Sequence, residues 1–261
     1  MILCIAIIPT IDAQAPRAYA LIGHRGAAAE APENTIASIK RAMELGVNRI
    51  EIDVHMTKDG RIAVIHDRTL NRTTSGKGEV RDHTLEEIQK LDAGSWFASS
   101  FAGEKVPTLE EVIKAIDGKC MLMIEVKEHD GYTPGIEQTV ADIIRRYKAH
   151  DWCVAISLRH KVIRNFHALA PDIRLHRSYV GKLPLIPLYI ATGLTFRGLK
   201  SYPYVEEFNL NKGFISRCIL KKAAKLNKKI NAWTDDDPDH AKKLIQRGVD
   251  GIITNTPGKY R

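Results

Sequence analysis

The chain has 261 residues, of which 44% are hydrophobic and 27% charged, with a formal net charge of +8 and a pI near 9.3. Such a length fits one large domain whose core needs no disulfide staple, which argues against a small cystine-stapled scaffold. The basic balance favours anionic partners such as phosphates, membrane surfaces or nucleic acid.

Much of the positive charge lies in the last third, at Lys221, Lys222, Lys225, Lys228 and Lys229. Their spacing reads as the solvated face of one helix, and no aromatic side chains are interleaved to stack on bases, so no nucleic-acid partner is expected. The four cysteines, Cys4, Cys120, Cys153 and Cys218, show neither CxxC nor zinc spacing and read as free thiols. The apolar start, residues 1–15, is too short to span a bilayer, so no stable membrane insertion is expected. It resembles the apolar core of an export signal, with Ala13-Gln14-Ala15 as a small-x-small cleavage site but no basic residue before Arg17. A periplasmic or secreted protein is the expectation, with a cytoplasmic one as the alternative.

In chain order, Tyr19 to Gly23 reads as a buried strand that ends in His24-Arg25-Gly26. Asn34 is a good N-cap for a helix over Thr35 to Leu45, closed by Gly46. The next strand, Arg49 to Val54, alternates with period two, which puts Glu51 and Asp53 on one face and Ile50, Ile52 and Val54 on the other. Lys58-Asp59-Gly60 turns the chain into a short partner strand, Ile62 to Ile65, that ends in His66-Asp67. Residues 68–106 break the rhythm. They are rich in Thr, Gly, Asp and Ser, hold one short helical segment at Leu85 to Leu91, and read as an insertion over one end of the domain.

The alternation then resumes: helix Leu109 to Ile116, strand Met121 to Val126, helix Ile136 to Tyr147, strand Val154 to Ser157, helix His160 to Ala168 and strand Ile173 to Leu175. Residues 179–204, interrupted by Pro184, Pro187 and Pro203, fit no pattern. Beyond them come strand Val205 to Phe208, helix Ile215 to Leu226, strand Ile230 to Trp233, helix Pro238 to Arg247 and strand Gly251 to Thr254. Leaving out the hairpin partner, eight strands alternate with helices, which predicts a (β/α)₈ barrel over residues 18–261.

Barrels of this kind place functional groups at the C-terminal ends of their strands. His24, Arg25, Glu51, Asp53, His66, Glu125, Lys127 and Trp233 all fall there, although each alone has a dull explanation. Three carboxylates converging with no cysteine nearby form a hard, oxygen-rich site suited to Mg²⁺ or Ca²⁺. The competing expectation is that Glu51, Asp53 and Glu125 simply salt-bridge to Arg25 and Lys127. Two imidazoles beside a metal suit general acid and base work, and Arg25 and Lys127 suit a phosphoryl group.

The runs HRGAAAEAPENT (24–35), EIDVHMTKDGRIAVIHD (51–67), EVK (125–127) and NAWTDDDP with GVDGIITNTP resemble the glycerophosphodiester phosphodiesterase family over nearly the whole chain. The resemblance implies a (β/α)₈ barrel with a small insertion between the second strand and second helix, and hydrolysis of a small glycerophosphodiester to glycerol 3-phosphate and an alcohol. It further implies His24 and His66 as the acid–base pair, Glu51, Asp53 and Glu125 as ligands to one divalent cation, and Arg25 and Lys127 on phosphate. Trp233 is a candidate substrate contact. The chain departs from the family in having Ser157-Leu158 where Ser-Phe is frequent, and Asn255 where Asp is common. A lysophospholipase D or sphingomyelinase D on the same barrel is the nearest rival. A silent barrel binding anionic surfaces through 215–229 is the more distant one.

Overall fold

Stretches in which apolar residues alternate or run together form the strands, β1 (Ala20–His24), β2 (Arg49–Met56), β3 (Ile62–Val64), β4 (Met121–Val126), β5 (Cys153–Ser157), β6 (Arg174–Tyr179), β7 (Glu207–Asn211), β8 (Lys229–Trp233) and β9 (Gly251–Thr254). The computed structural model describes residues 18–127, 133–179 and 197–260. The export-signal segment, Cys4 and most of the proline-interrupted stretch at 179–204 lie outside the described residues.

Eight of the strands are parallel, in the order β1-β9-β8-β7-β6-β5-β4-β2, and β2 pairs back onto β1 to close the barrel. β2 projects beyond its barrel neighbours, and β3 pairs antiparallel with that projecting end, from Val54↔Val64 to Met56↔Ile62. Through this hairpin the Ile65 amide donates to the Asp53 carbonyl at 3.0 Å, which brings His66 back over the rim.

The helices are α1 (Ile36–Glu44), α2 (Leu85–Gln89), α3 (Leu109–Ile116), α4 (Ile136–Arg146), α5 (His160–Leu169), α6 (Arg197–Lys200), α7 (Arg217–Lys225) and α8 (Pro238–Arg247). Local chemistry sets their ends. Thr108 accepts from the Glu111 amide at 3.0 Å while Glu111 accepts from the Thr108 amide at 2.7 Å, a capping box that starts α3. Asp237 caps α8 ahead of Pro238, and Gly248 ends it at φ 110°. The cap of α1 is Thr35 and not Asn34 as expected. Asn34 adopts φ 59° and turns its amide toward Asp53, a use that helix-end statistics do not reveal.

Two other expectations shift. The sixth strand reaches Tyr179 instead of stopping at Leu175, and the seventh starts at Glu207 and runs to Asn211 instead of spanning 205–208. Both carry polar residues at their inward positions, His176 and Ser178 on β6, Glu207 and Asn209 on β7, so an apolar run was the wrong guide there.

Two cores result. The outer layer between strands and helices includes Ile50, Ile52, Leu122, Ile124, Phe166 and Phe208. Inside the barrel, Ile22, Met123, Val154, Ile156 and Ile253 pack on one side. Residues 68–106 pack Leu70, Val80, Leu85, Ile88, Ala93 and Val106 against Ala63 and Ile65 of the hairpin. Asp92 ties this segment by accepting from the Gly94, Ser95 and Gly103 amides at 3.0, 2.7 and 2.6 Å. Cys120 and Cys153 are free thiols, and burial pushes them up to about 11 and 12.

The opposite mouth is plugged by a salt bridge that crosses the barrel. Arg49 Nη1 lies 2.6 Å from Glu207 Oε2, and Asn231 Nδ2 donates to the same oxygen at 2.9 Å. Burial pushes the nearby His176 imidazole down to about 4, against the pull of Glu207. Although burial would raise Glu207, His176 and Arg49 hold it at about 2. Unfolded, these groups titrate near 6.5 and 4.5. On acidification the unfolded chain therefore takes up protons first, and native stability falls. Urea midpoints are expected to fall from pH 6.5 to 4 as His176 charges in the unfolded state, and further from pH 4.5 to 2 through Glu207. Arg49→Met leaves buried Glu207 with only the exposed Lys229, 3.6 Å away, as a cation and should cost about 3 kcal/mol at pH 7, read from the same urea curves.

Candidate active site

At the C-terminal mouth, β1, β2 and β4 bring their last inward residues together. Register pairs His24 with Glu51 and Asp53 with Glu125. Oxygens of Glu51, Asp53 and Glu125 lie within 4.8 Å of one another, Asp53 fully buried, Glu51 2% exposed and Glu125 half-buried. His24 Nε2 lies 3.9 Å from Glu51 Oε2. The structure thus brings together the sequence-derived carboxylate set beside one of its two histidines.

The turn after β1 is tight. Arg25 adopts φ 53° and Gly26 φ 86°. A Cβ on Gly26 would meet Ser38 Oγ at 2.4 Å, so α1 packs where only glycine fits. That turn aims the Arg25 amide at Glu51 Oε2, at 3.0 Å. It also sets Arg25 Nε 3.3 Å from Asp53 Oδ2.

Lys127 Nζ sits 2.7 Å from Glu125 Oε1 and 2.8 Å from Asp53 Oδ1. The expected salt bridging is therefore real for Asp53 and Glu125. It does not exhaust the site. Asp53 Oδ1 is buried and meets Lys127 as an ion pair. Burial, then Asp53 and Glu125, push the Glu51 carboxyl well above its ordinary value. Lys127 is held above its usual value because Asp53, Glu125 and Glu51 outweigh its burial. Three clustered carboxyl groups facing two cations, with an all-oxygen donor set, fit a divalent cation.

The histidines are held from behind. Asn255 Nδ2 donates to Asp236 Oδ2 at 2.8 Å, which leaves Asn255 Oδ1 as acceptor for His24 Nδ1 at 2.7 Å. His24 therefore carries its proton on Nδ1 and turns Nε2 toward the carboxylates. Burial, and next Arg25, push the His24 imidazole down to about 4, so it is neutral at pH 7. His66 Nδ1 donates to Asp67 Oδ1 at 2.7 Å.

Sequence reasoning missed several supporting groups. Asn34 Nδ2 donates to Asp53 Oδ2 at 2.9 Å and its Oδ1 accepts from the Asp53 amide at 3.1 Å, fixing that carboxylate. Asp236, and Glu33 bonded to Arg25 Nη1 at 2.7 Å, were also missed. Only Asp67, the immediate neighbour of His66, left a readable signal. Trp233 is half-buried at the end of β8, with Nε1 donating to the Asn209 carbonyl at 3.1 Å. A groove of about 970 Å³, lined by Arg217, Lys221, Lys228 and Arg247 among others, opens between α7 and α8, away from the carboxylates.

The model of the glycerophosphoryl diester phosphodiesterase family matches residues 24–259. The chain belongs to this family. It is 41% identical over 238 residues to a glycerophosphodiester phosphodiesterase from Caldanaerobacter subterraneus, covering 91% of this chain and 94% of the relative. A namesake from Bacillus altitudinis is 32% identical over 241 residues, covering 92% and 95%. Among solved structures, an Oleispira antarctica phosphodiesterase in complex with the product sn-glycerol-3-phosphate superposes with a TM-score of 0.83 at 27% identity, covering 92% of this chain and 94% of that one. The glycerophosphodiester phosphodiesterase of Agrobacterium tumefaciens gives 0.77 at 27% identity, covering 93% and 98%. Membership places the chain among hydrolases, with the acidic cluster where β1, β2 and β4 meet.

Carboxylates ligate in their deprotonated form, so the upward displacement of the Glu51 carboxyl makes ion binding pH-dependent. Calorimetry with Mn²⁺ is expected to show one ion per chain, proton release visible as buffer-dependent heat, and tighter binding as pH rises. Asn34→Ala, which frees the Asp53 carboxylate, should weaken binding by about tenfold to a hundredfold.

Proposed function

We propose that the protein hydrolyses glycerophosphodiesters to sn-glycerol 3-phosphate and an alcohol, with Glu51, Asp53 and Glu125 holding one Mg²⁺ or Ca²⁺ and His24 and His66 as the acid–base pair. The observation that carries this reading is the meeting of three buried or half-buried carboxylates within 4.8 Å beside the Nε2 of a neutral imidazole, in a chain of this family. The bound glycerol phosphate product of the Oleispira neighbour supports the substrate class.

Glu51, Asp53 and Glu125 would hold the divalent ion, which would supply positive charge to lower the pKa of an attacking hydroxyl and to polarise the phosphoryl group. The remaining work belongs to the chain. Arg25 and Lys127, already turned to the carboxylates, orient the phosphodiester and balance charge developing on its equatorial oxygens. One imidazole accepts the proton of the nucleophile, and the other gives one to the departing alkoxide. Both rings are locked through Nδ1, by Asn255 and by Asp67, so each has Nε2 free for transfer. The segment at 68–106 packs beside the mouth next to His66, which favours a small head group over a lysolipid chain.

Glycerol 3-phosphate release from glycerophosphocholine is the direct test, with lysophosphatidylcholine in parallel. His24→Ala and Glu51→Ala should each fold and lose activity by at least about a hundredfold. EDTA should abolish turnover and Mg²⁺ or Ca²⁺ restore it. His24→Ala with wild-type turnover, or faster release of choline from the lysolipid, would contradict the reading.

A further inference from the structure

Arg72 comes from the segment between β3 and α3 and touches none of the three clustered carboxylates. Its guanidinium makes two forks. Nε and Nη2 donate to Asp67 Oδ2 and Oδ1 at 2.7 and 2.9 Å. Nη1 and Nη2 donate to Glu33 Oε2 and Oε1 at 2.9 and 2.8 Å. Each carboxylate passes the constraint inward. Asp67 Oδ1 also accepts from His66 Nδ1 at 2.7 Å. Glu33 Oε1 also accepts from Arg25 Nη1 at 2.7 Å, and Arg25 Nε lies 3.3 Å from Asp53 Oδ2. Hydrogen bonds and ion pairs thus run unbroken from His66 to Asp53, with charges alternating in sign from Asp67 through Arg72, Glu33 and Arg25 to Asp53.

We propose that Arg72 is a positioning residue for the reaction, fixing the tautomer and ring orientation of His66 through Asp67 and the attitude of Arg25 through Glu33. The proposal rests on the phosphodiesterase reading above. Two carboxylates clamped by one planar guanidinium is a geometry that lysine, a point charge with no fork, does not reproduce. Hydrogen bonds from Arg72 are the leading cause that holds the Asp67 carboxyl below its ordinary range. Asp67 is therefore an acceptor only, and the proton between it and His66 belongs to Nδ1. On Glu33, Arg72 and Arg25 together overcome the effect of burial and keep it ionised. The Arg72 side chain itself is 43% exposed, but paired forks in a network can also stabilise a fold, so the His66 ring signals and the split between kcat and KM, not stability, carry the test.

The test uses purified full-length Arg72→Met and Arg72→Lys, assayed on glycerophosphocholine beside wild type and His66→Ala, with ¹⁵N shifts of labelled histidine read at the His66 ring. Arg72→Met is expected to lower kcat by at least about tenfold, more than it raises KM, in a variant that remains folded at the assay temperature. The His66 signals are expected to move from the Nδ1–H pattern toward a mixture of tautomers. Arg72→Lys should recover only part of kcat. Wild-type kcat and an unchanged His66 spectrum in Arg72→Met would overturn the proposal, and so would full recovery in Arg72→Lys. If Arg72→Met does not fold, Arg72→Lys carries both readouts. A wild type without turnover would instead refute the phosphodiesterase reading. Active wild type, inactive His66→Ala and undiminished Arg72→Met would refute the role of Arg72 alone.

Discussion

Mutual repulsion among three carboxylates is the constraint on which this mouth of the barrel depends. Glu51 and Asp53 share one face of β2, and the register of β4 sets Glu125 beside Asp53. Such a cluster, largely out of water, is unfavourable unless positive charge stands close by. Part of that charge comes from Lys127 and Arg25, while burial, with Asp53 and Glu125 beside it, displaces the Glu51 carboxyl upward. A divalent ion, as proposed for this cluster, would supply stronger compensation.

The polar groups behind the cluster narrow its freedom. Asn34 fixes Asp53, Asn255 fixes His24, and Asp67 fixes His66, each through hydrogen bonds of 2.7 to 3.1 Å. Asn34 and Arg25 hold positive φ, at 59° and 53°, in the same turn. A left-handed backbone at non-glycine residues is unfavourable and persists because the surrounding structure over-determines it. Here Ser38 Oγ donates to the Arg25 carbonyl at 2.8 Å and the Asn34 amide donates to it at 3.0 Å, locking the turn. The two mouths divide the labour: ion pairing through Arg49 and Glu207 plugs one, while the other carries the charge imbalance that a reaction can use.

Much of this was legible in the sequence because the relevant signals are local. Period two on Arg49 to Val54 separates Glu51 and Asp53 from Ile50 and Ile52, and the structure keeps that separation. Helices Leu109–Ile116 and Pro238–Arg247 and strands Met121–Val126 and Gly251–Thr254 match at both ends, where caps or clean apolar runs define them. Legibility failed where the chain buries polar residues inside the barrel. His176, Ser178, Glu207 and Asn209 do not look like a core, yet they line β6 and β7. It failed again where partners are distant in sequence, as for Arg72 with Glu33, Asn255 with His24, and Asn34 with Asp53. No local pattern encodes those pairs, since closure of the barrel creates them.

An anomalous difference map from crystals soaked in Mn²⁺ tests the central claim most directly. The account predicts a single strong peak bounded by the carboxylates of Glu51, Asp53 and Glu125, on the side faced by His24 Nε2. A map with no peak there, or with Mn²⁺ held by other residues while the three carboxylates stay paired only with Lys127 and Arg25, would contradict it.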